Sequence, residues 1–254
     1  MQDRFHALLK RRLEHEIQQN PPLFPWESEI HDYEADRAPV LLWLNQLKTL
    51  NLPVAVPESV LTHLLQRCQE TLHSSLLEGA KLIRAVEELF PNQPQALNHL
   101  AGLVMASPAR SGAIAPSTPE VNYPANYDAA APMQQMVLSL LAAREILGTL
   151  TLTVSSVQPI VERQWLTELG LLTLQAEYEF GQLGSRLRLK GRLPIGGSLL
   201  LHGQGLEAIA HRSDAGVLSV ELFDIQPNQP YVLEVQLTEH ESTPLIFSVY
   251  AAEA

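Results

Sequence analysis

The sequence predicts an α+β chain of two domains, an N-terminal α-helical bundle followed by a C-terminal antiparallel β-sandwich. Three observations predict it. Apolar residues recur at helical spacing as far as residue 105, residues 106–132 are rich in Pro, Ala and Ser without any period, and after Gly148 the apolar pattern has period two. The boundaries are therefore 1–105 for the helical domain, 106–132 for a linker, and 133–254 for one helix and the β domain.

Phe5, Leu8, Leu9, Leu13 and Ile17 form the first helical stripe, which ends at Pro21-Pro22. The Pro-broken stretch LFPWESEIHDYEAD follows. Pro39 suits a first helical turn, and VLLWLNQLKTL predicts a helix that stops before Pro53. Pro57 opens a longer pattern through Leu61, Leu64, Leu65 and Leu72, with Gly79 its expected interruption and Leu82, Ile83 and Val86 continuing the face. A last helix of the bundle is expected over about 94–105. Pro132 and Gly148 bracket MQQMVLSLLAAREIL with proline entering and glycine leaving. Seven alternating runs then follow, TLTLTV, LLTLQAEYEF, SRLRLKGRL, GSLLLHG, VLSVELF, YVLEVQL and LIFSVY, separated by Gly, Pro, Asn or Asp.

Charge and cysteine usage exclude whole classes of function. The 254 residues carry a formal net charge of −11, which disfavours general attraction to nucleic acid or to an anionic membrane. Residues 111–254 hold 7 Lys/Arg against 15 Asp/Glu, so the half with the strongest basic feature is also the more acidic half. The single cysteine, Cys68, allows neither an intrachain disulfide nor a thiolate zinc cluster. No apolar run reaches the length of a bilayer span, and the N-terminus lacks the apolar core of a signal peptide, so the expected location is cytoplasmic with no membrane contact.

The basic feature is GSRLRLKGRLP, with Arg186, Arg188, Lys190 and Arg192 at alternate positions. A hairpin pairing Phe180 with Ser185 sets Glu179 opposite Arg186, Glu177 opposite Arg188, Gln175 opposite Lys190 and Thr173 opposite Arg192. The same register joins Tyr178 to Leu187 and Ala176 to Leu189 on the other face, and a slip of one residue would ruin both faces. The stripe therefore reads as the solvated face of a sheet. Lys190 and Arg192 are left with unanswered charge and are candidate contacts for an acidic protein partner. A nucleic-acid grip would need aromatic residues among the cations.

Other patterns carry less. Gly203-x-Gly205-x-x-Ala208 with Asp224 beyond imitates a dinucleotide fingerprint, but too few residues remain for a crossover helix, so a tight hairpin turn is expected. The nine histidines form no metal-ligand spacing, and no cofactor is expected. Cys68 falls near an apolar helix face and reads as a buried structural thiol. LNHLAGLVMASPAR could belong to a helix-turn-helix, yet it lacks the base-reading side chains of a recognition helix and reads as core. In LFPWESEIHDYE, Trp26 and Tyr33 lie among acids including Glu29. These three are candidate partner-binding residues, the plainer alternative being a loop anchored by Phe24 and Trp26.

IQPNQPYVLEV places Ile225, Pro227, Tyr231, Leu233 and Val235 in a pattern that resembles the corner before the penultimate strand of fibronectin type III and other immunoglobulin-like domains. The resemblance implies a tyrosine hydroxyl bonded back to the backbone, and a domain that binds proteins or spaces them. The phrases LFPWESEIHDYE, LLAAREILGTLTLTV and LSVELFDIQPNQPYVLEVQL are similar to cyanobacterial proteins of the PatU family, which implies regulation through protein contacts in a developmental or transcriptional setting. The function expected is that of a non-enzymatic cytoplasmic regulatory or adaptor protein. Its rivals are a DNA-binding regulator using the helical domain, and an enzyme with a site between the domains.

Overall fold

The computed structural model describes residues 42–74, 76–106, 125–181, 184–237 and 243–252. The chain is mixed α+β, with five helices and two sheets among these residues. The helix expected over 3–19 lies outside them.

Helix α1 spans Leu44–Lys48 and is shorter than the apolar run predicts. The Leu42 carbonyl accepts from the Glu168 N–H at 3.2 Å and the Trp43 carbonyl from the Trp165 indole at 3.2 Å, which ties the start of α1 to residues 165–168. Helix α2 (Glu58–Leu72) and helix α3 (Glu78–Val86) are separated at 73–77, before Gly79 rather than at it. Ser74 closes α2 there, giving both its N–H and its hydroxyl to the Thr71 carbonyl. Helix α4 (Pro94–Ala106) stands where the period places it, and helix α5 (Pro132–Thr149) starts at its proline. Residues before α5 pack rather than trail: Tyr127 is buried, with its hydroxyl 2.9 Å from Ser139 Oγ.

Nine strands follow: β1 (Thr151–Ser155), β2 (Ile160–Thr167), β3 (Gly170–Gly181), β4 (Gly184–Leu193), β5 (Gly197–Gly203), β6 (Leu206–Arg212), β7 (Gly216–Phe223), β8 (Pro230–Leu237) and β9 (Leu245–Ala252). One sheet has the order β1-β9-β8-β5-β6 and the other β2-β3-β4-β7. All pairings are antiparallel except β1 with β9, which departs from the all-antiparallel expectation. The two strands lie at opposite ends of the β region, and only such a long connection lets neighbours run the same way.

Side chains from both sheets meet between them. Trp165 of β2 stands edge-on to Phe247 of β9, with centroids 5.8 Å apart and planes at 89°. Helix α2 packs against β9 of the five-stranded sheet and helix α5 against β1. Gln69 of α2 accepts from the Ile246 N–H at 2.9 Å, just before β1 begins to pair with β9, and the Leu150 carbonyl takes the Ser248 N–H next. Cys68 on α2 reaches the Ala143 carbonyl of α5, and Arg144 of α5 donates to the Val104 carbonyl at the end of α4. Buried side chains of helices and sheets thus form one continuous cluster, and the described residues belong to one compact unit.

Candidate partner-binding surface

The β3–β4 hairpin has the register that its charges specify. Glu179 faces Arg186, Glu177 faces Arg188, Gln175 faces Lys190 and Thr173 faces Arg192, while Tyr178 and Ala176 meet Leu187 and Leu189 inside. Strand β7 adds what the hairpin alone did not suggest, since Glu221 lies opposite Arg188 on its far side. Arg186 reaches Glu179 at 2.7 Å and Glu221 at 3.6 Å, and Arg188 reaches Glu221 at 2.8 Å and Glu177 at 3.9 Å. The Glu179 hydrogen bond holds the Arg186 guanidinium above even its ordinary high pKa. Pairs of this kind on a solvated sheet choose a register but do not hold a fold.

Lys190 requires a correction. Its ammonium is not unanswered: it lies 2.6 Å from Glu177, the diagonal neighbour, which a flexible four-carbon stem can reach. Arg192 sits between Thr173 and Val217 and has no ion pair among the described residues. The stripe is therefore mostly neutralised. Trp26, Glu29 and Tyr33 lie outside the described residues.

Beyond the last ion pair, at the end of β4 away from Arg192, the surface changes character. An open groove of about 1010 Å³ is lined by Ser156, Pro159, Phe180, Arg186, Phe223 and Asp224. Phe180 is 75% exposed and Phe223 59% exposed. Tyr178, two residues before Phe180 on the same side of the strand, is buried, so the apolar face of β3 runs on past the point where the rest of the core covers it. Asp224 leaves β7 in the left-handed region at φ 55°, with its N–H held by the Ser185 carbonyl at 2.8 Å. The Ser185 hydroxyl donates to the Ile225 carbonyl at 2.6 Å, so both sides of this corner are tied. Gly184 leaves room for the carboxylate, since a Cβ there would lie 2.7 Å from Asp224 Oδ1. Asp224 has no ion pair among the described residues.

The remaining patterns resolve as structure. Gln204 and Gly205, at φ 54° and 79°, form the two-residue turn between β5, which ends at Gly203, and β6, and the strands are antiparallel. Cys68 is buried, and burial pushes its thiol pKa far up, where the thiolate chemistry of a nucleophile is suppressed. Leu97, Leu100, Ala101 and Val104 of α4 are buried in the core. His202 of β5 and Glu234 of β8 pair at 3.1 Å on the sheet face that carries the helices. Burial first, then the nearby His202, lowers the pKa of His73, while Glu234 acts in the opposite sense. Among the described residues no three His, Cys, Asp or Glu are grouped to hold a metal, and no helix is long and apolar enough to cross a membrane.

Comparison with protein-family models, with curated proteins and with solved structures finds no match for the chain.

Proposed function

We propose that this chain is a non-enzymatic regulatory or adaptor protein of the cytoplasm, acting through protein–protein contacts, with the β region an immunoglobulin-like sandwich. The observation that carries the functional reading is a pair of exposed phenylalanines at one end of the four-stranded sheet, Phe180 on the inward side of β3 and Phe223 on the ion-paired side of β7. Exposed aromatic side chains next to satisfied polar groups are the anchors that protein contacts use. The ion pairs around Arg186 and Arg188 form a polar rim to that patch.

Support for the immunoglobulin-like assignment comes from connectivity and one contact. The chain passes between sheets at β1–β2, β4–β5, β6–β7 and β7–β8, with hairpins at β2–β3, β3–β4, β5–β6 and β8–β9. Tyr231 begins the penultimate strand, and its hydroxyl accepts from the Gln226 N–H at 2.7 Å. A setting in developmental or transcriptional control follows only from the likeness to PatU proteins and belongs to the same proposal.

Affinity isolation from the source organism, with the wild-type chain and a Phe180→Ser/Phe223→Ser variant in parallel, tests the reading. The wild type is expected to retain a defined partner that the variant loses while keeping its melting temperature within a few degrees. Identical sets of bound proteins would contradict it.

A further inference from the structure

Strand β6 closes the five-stranded sheet at the edge opposite β1, and β5 is the only strand it pairs with. Independently of the adaptor reading, we infer that two copies of this chain join along β6, antiparallel, on a twofold axis at Ile209. None of the strand's seven residues is buried, and β7, its other neighbour, belongs to the opposite sheet. Gly203 and Leu206 close the two-residue turn as a bonded pair, so Leu206, Ala208 and Ala210 direct their backbone groups to β5. The N–H and C=O groups of Glu207, Ile209 and His211 therefore point to the open edge. Their three side chains are exposed on the outer face of the sheet, Ile209 at 68%.

Charge complementarity names the occupant. Pairing β6 with its own copy about Ile209 sets Glu207 opposite His211 at both ends and Ile209 opposite Ile209 between them. Neither Glu207 nor His211 has an ion pair among the described residues, so each is open to the other. Other registers set a charge against Ile209 or carry it past the strand end. Only this one answers both charges and uses every open backbone group. Leu200 of β5 lies beside Ile209 and widens the apolar centre. Strand β6 also lacks the devices that close an edge. It has no proline, its ladder with β5 runs without a bulge, and Leu206, Ala208 and Ala210 fill its inward positions before Arg212. Arg212 is engaged in its own turn, donating to the Asp214 and Val217 carbonyls. The edge strand β2, in contrast, holds Arg163 on its inward side.

Sedimentation equilibrium of the full chain tests the inference. The wild type is expected to pass from monomer to dimer as concentration rises. His211→Glu sets like charges opposite each other at both pairs and is expected to weaken the dimer about tenfold. Glu207→Lys removes the same attraction and is expected to act in the same direction. The double variant Glu207→Lys/His211→Glu restores opposite charges in this register alone, and is expected to dimerise as the wild type does. Both positions are exposed, so melting temperatures are expected to stay within a few degrees. Disulfide capture gives a second reading. Directly opposed residues of a bonded pair lie about 5.5 Å apart at Cα, within reach of a disulfide. Ile209→Cys is therefore expected to form a reducible dimer with oxidised glutathione, and Glu207→Cys is not, while the buried Cys68 takes no part. A wild type that stays monomeric up to its solubility limit would overturn the inference. So would a dimer indifferent to His211→Glu, or a double variant weaker than either single one. Protection of the β6 amides from hydrogen exchange only in a complex with another protein would also overturn it, because that protein's strand would then hold the edge.

Discussion

Tyr231 shows how much one side chain can settle. Its ring is fully buried between the sheets, and its hydroxyl lies at the corner where the chain leaves β7 for β8 and accepts from the Gln226 N–H. Removing the hydroxyl leaves the ring's packing intact and strips that backbone N–H of its partner. Tyr231→Phe is therefore expected to cost about 1 kcal/mol, read as a lower urea midpoint at unchanged slope. An unchanged midpoint would mean that the bond does not hold the corner. The contact was expected only through the resemblance of the stretch Ile225–Val235 to the corner of immunoglobulin-like domains. Phe180, Phe223 and Asp224 were not legible. Alternation alone puts Phe180 on the inward face with Tyr178, and only the end of the overlying core leaves it bare. Lys190 was misread for a related reason, since pairing directly opposite was weighed and the diagonal Glu177 was not.

At the scale of elements, strands were found where each face had one environment. The register of β3 with β4 follows from residues 173–192 because charged and apolar residues alternate without a break. Strands β2 and β6 were missed because that condition fails in both. In β6, Ile209 is exposed where alternation of alanines gives no strong signal. In β2, Arg163 follows Val161 and precedes Trp165 on the inward side, yet it is exposed. Strand β2 is the edge of its sheet, and its Leu166 N–H is capped by the Gln46 side chain. An inward-directed cation on an edge strand denies a second chain a dry seat beside it. Arg163→Val is accordingly expected to raise self-association, seen as a sedimentation coefficient that climbs with concentration. A variant that sediments like the wild type at every concentration would remove this role from Arg163.

For the whole molecule, helices and sheets share one buried cluster, so the described β region is not a free-standing module carried by a helical one. Helices pack against the five-stranded sheet at β9 and β1, whereas the outward side of β6 at its other edge and the ion-paired face of the four-stranded sheet are exposed. The ion-paired face of the four-stranded sheet is neutralised in its middle and differs at its two ends, with Arg192 at one and the exposed Phe223 at the other. A surface whose charges satisfy each other contributes little binding energy, and the ends are where contact can be made. The account therefore places the partner at the end that carries Phe180 and Phe223. Hydroxyl-radical footprinting, comparing the chain alone with the complex isolated from its source, reads this position directly. The account predicts strong loss of oxidation at Phe180 and Phe223 in the complex, with residues around Arg192 unchanged. Equal oxidation of both rings in the two states, with protection elsewhere, would contradict it.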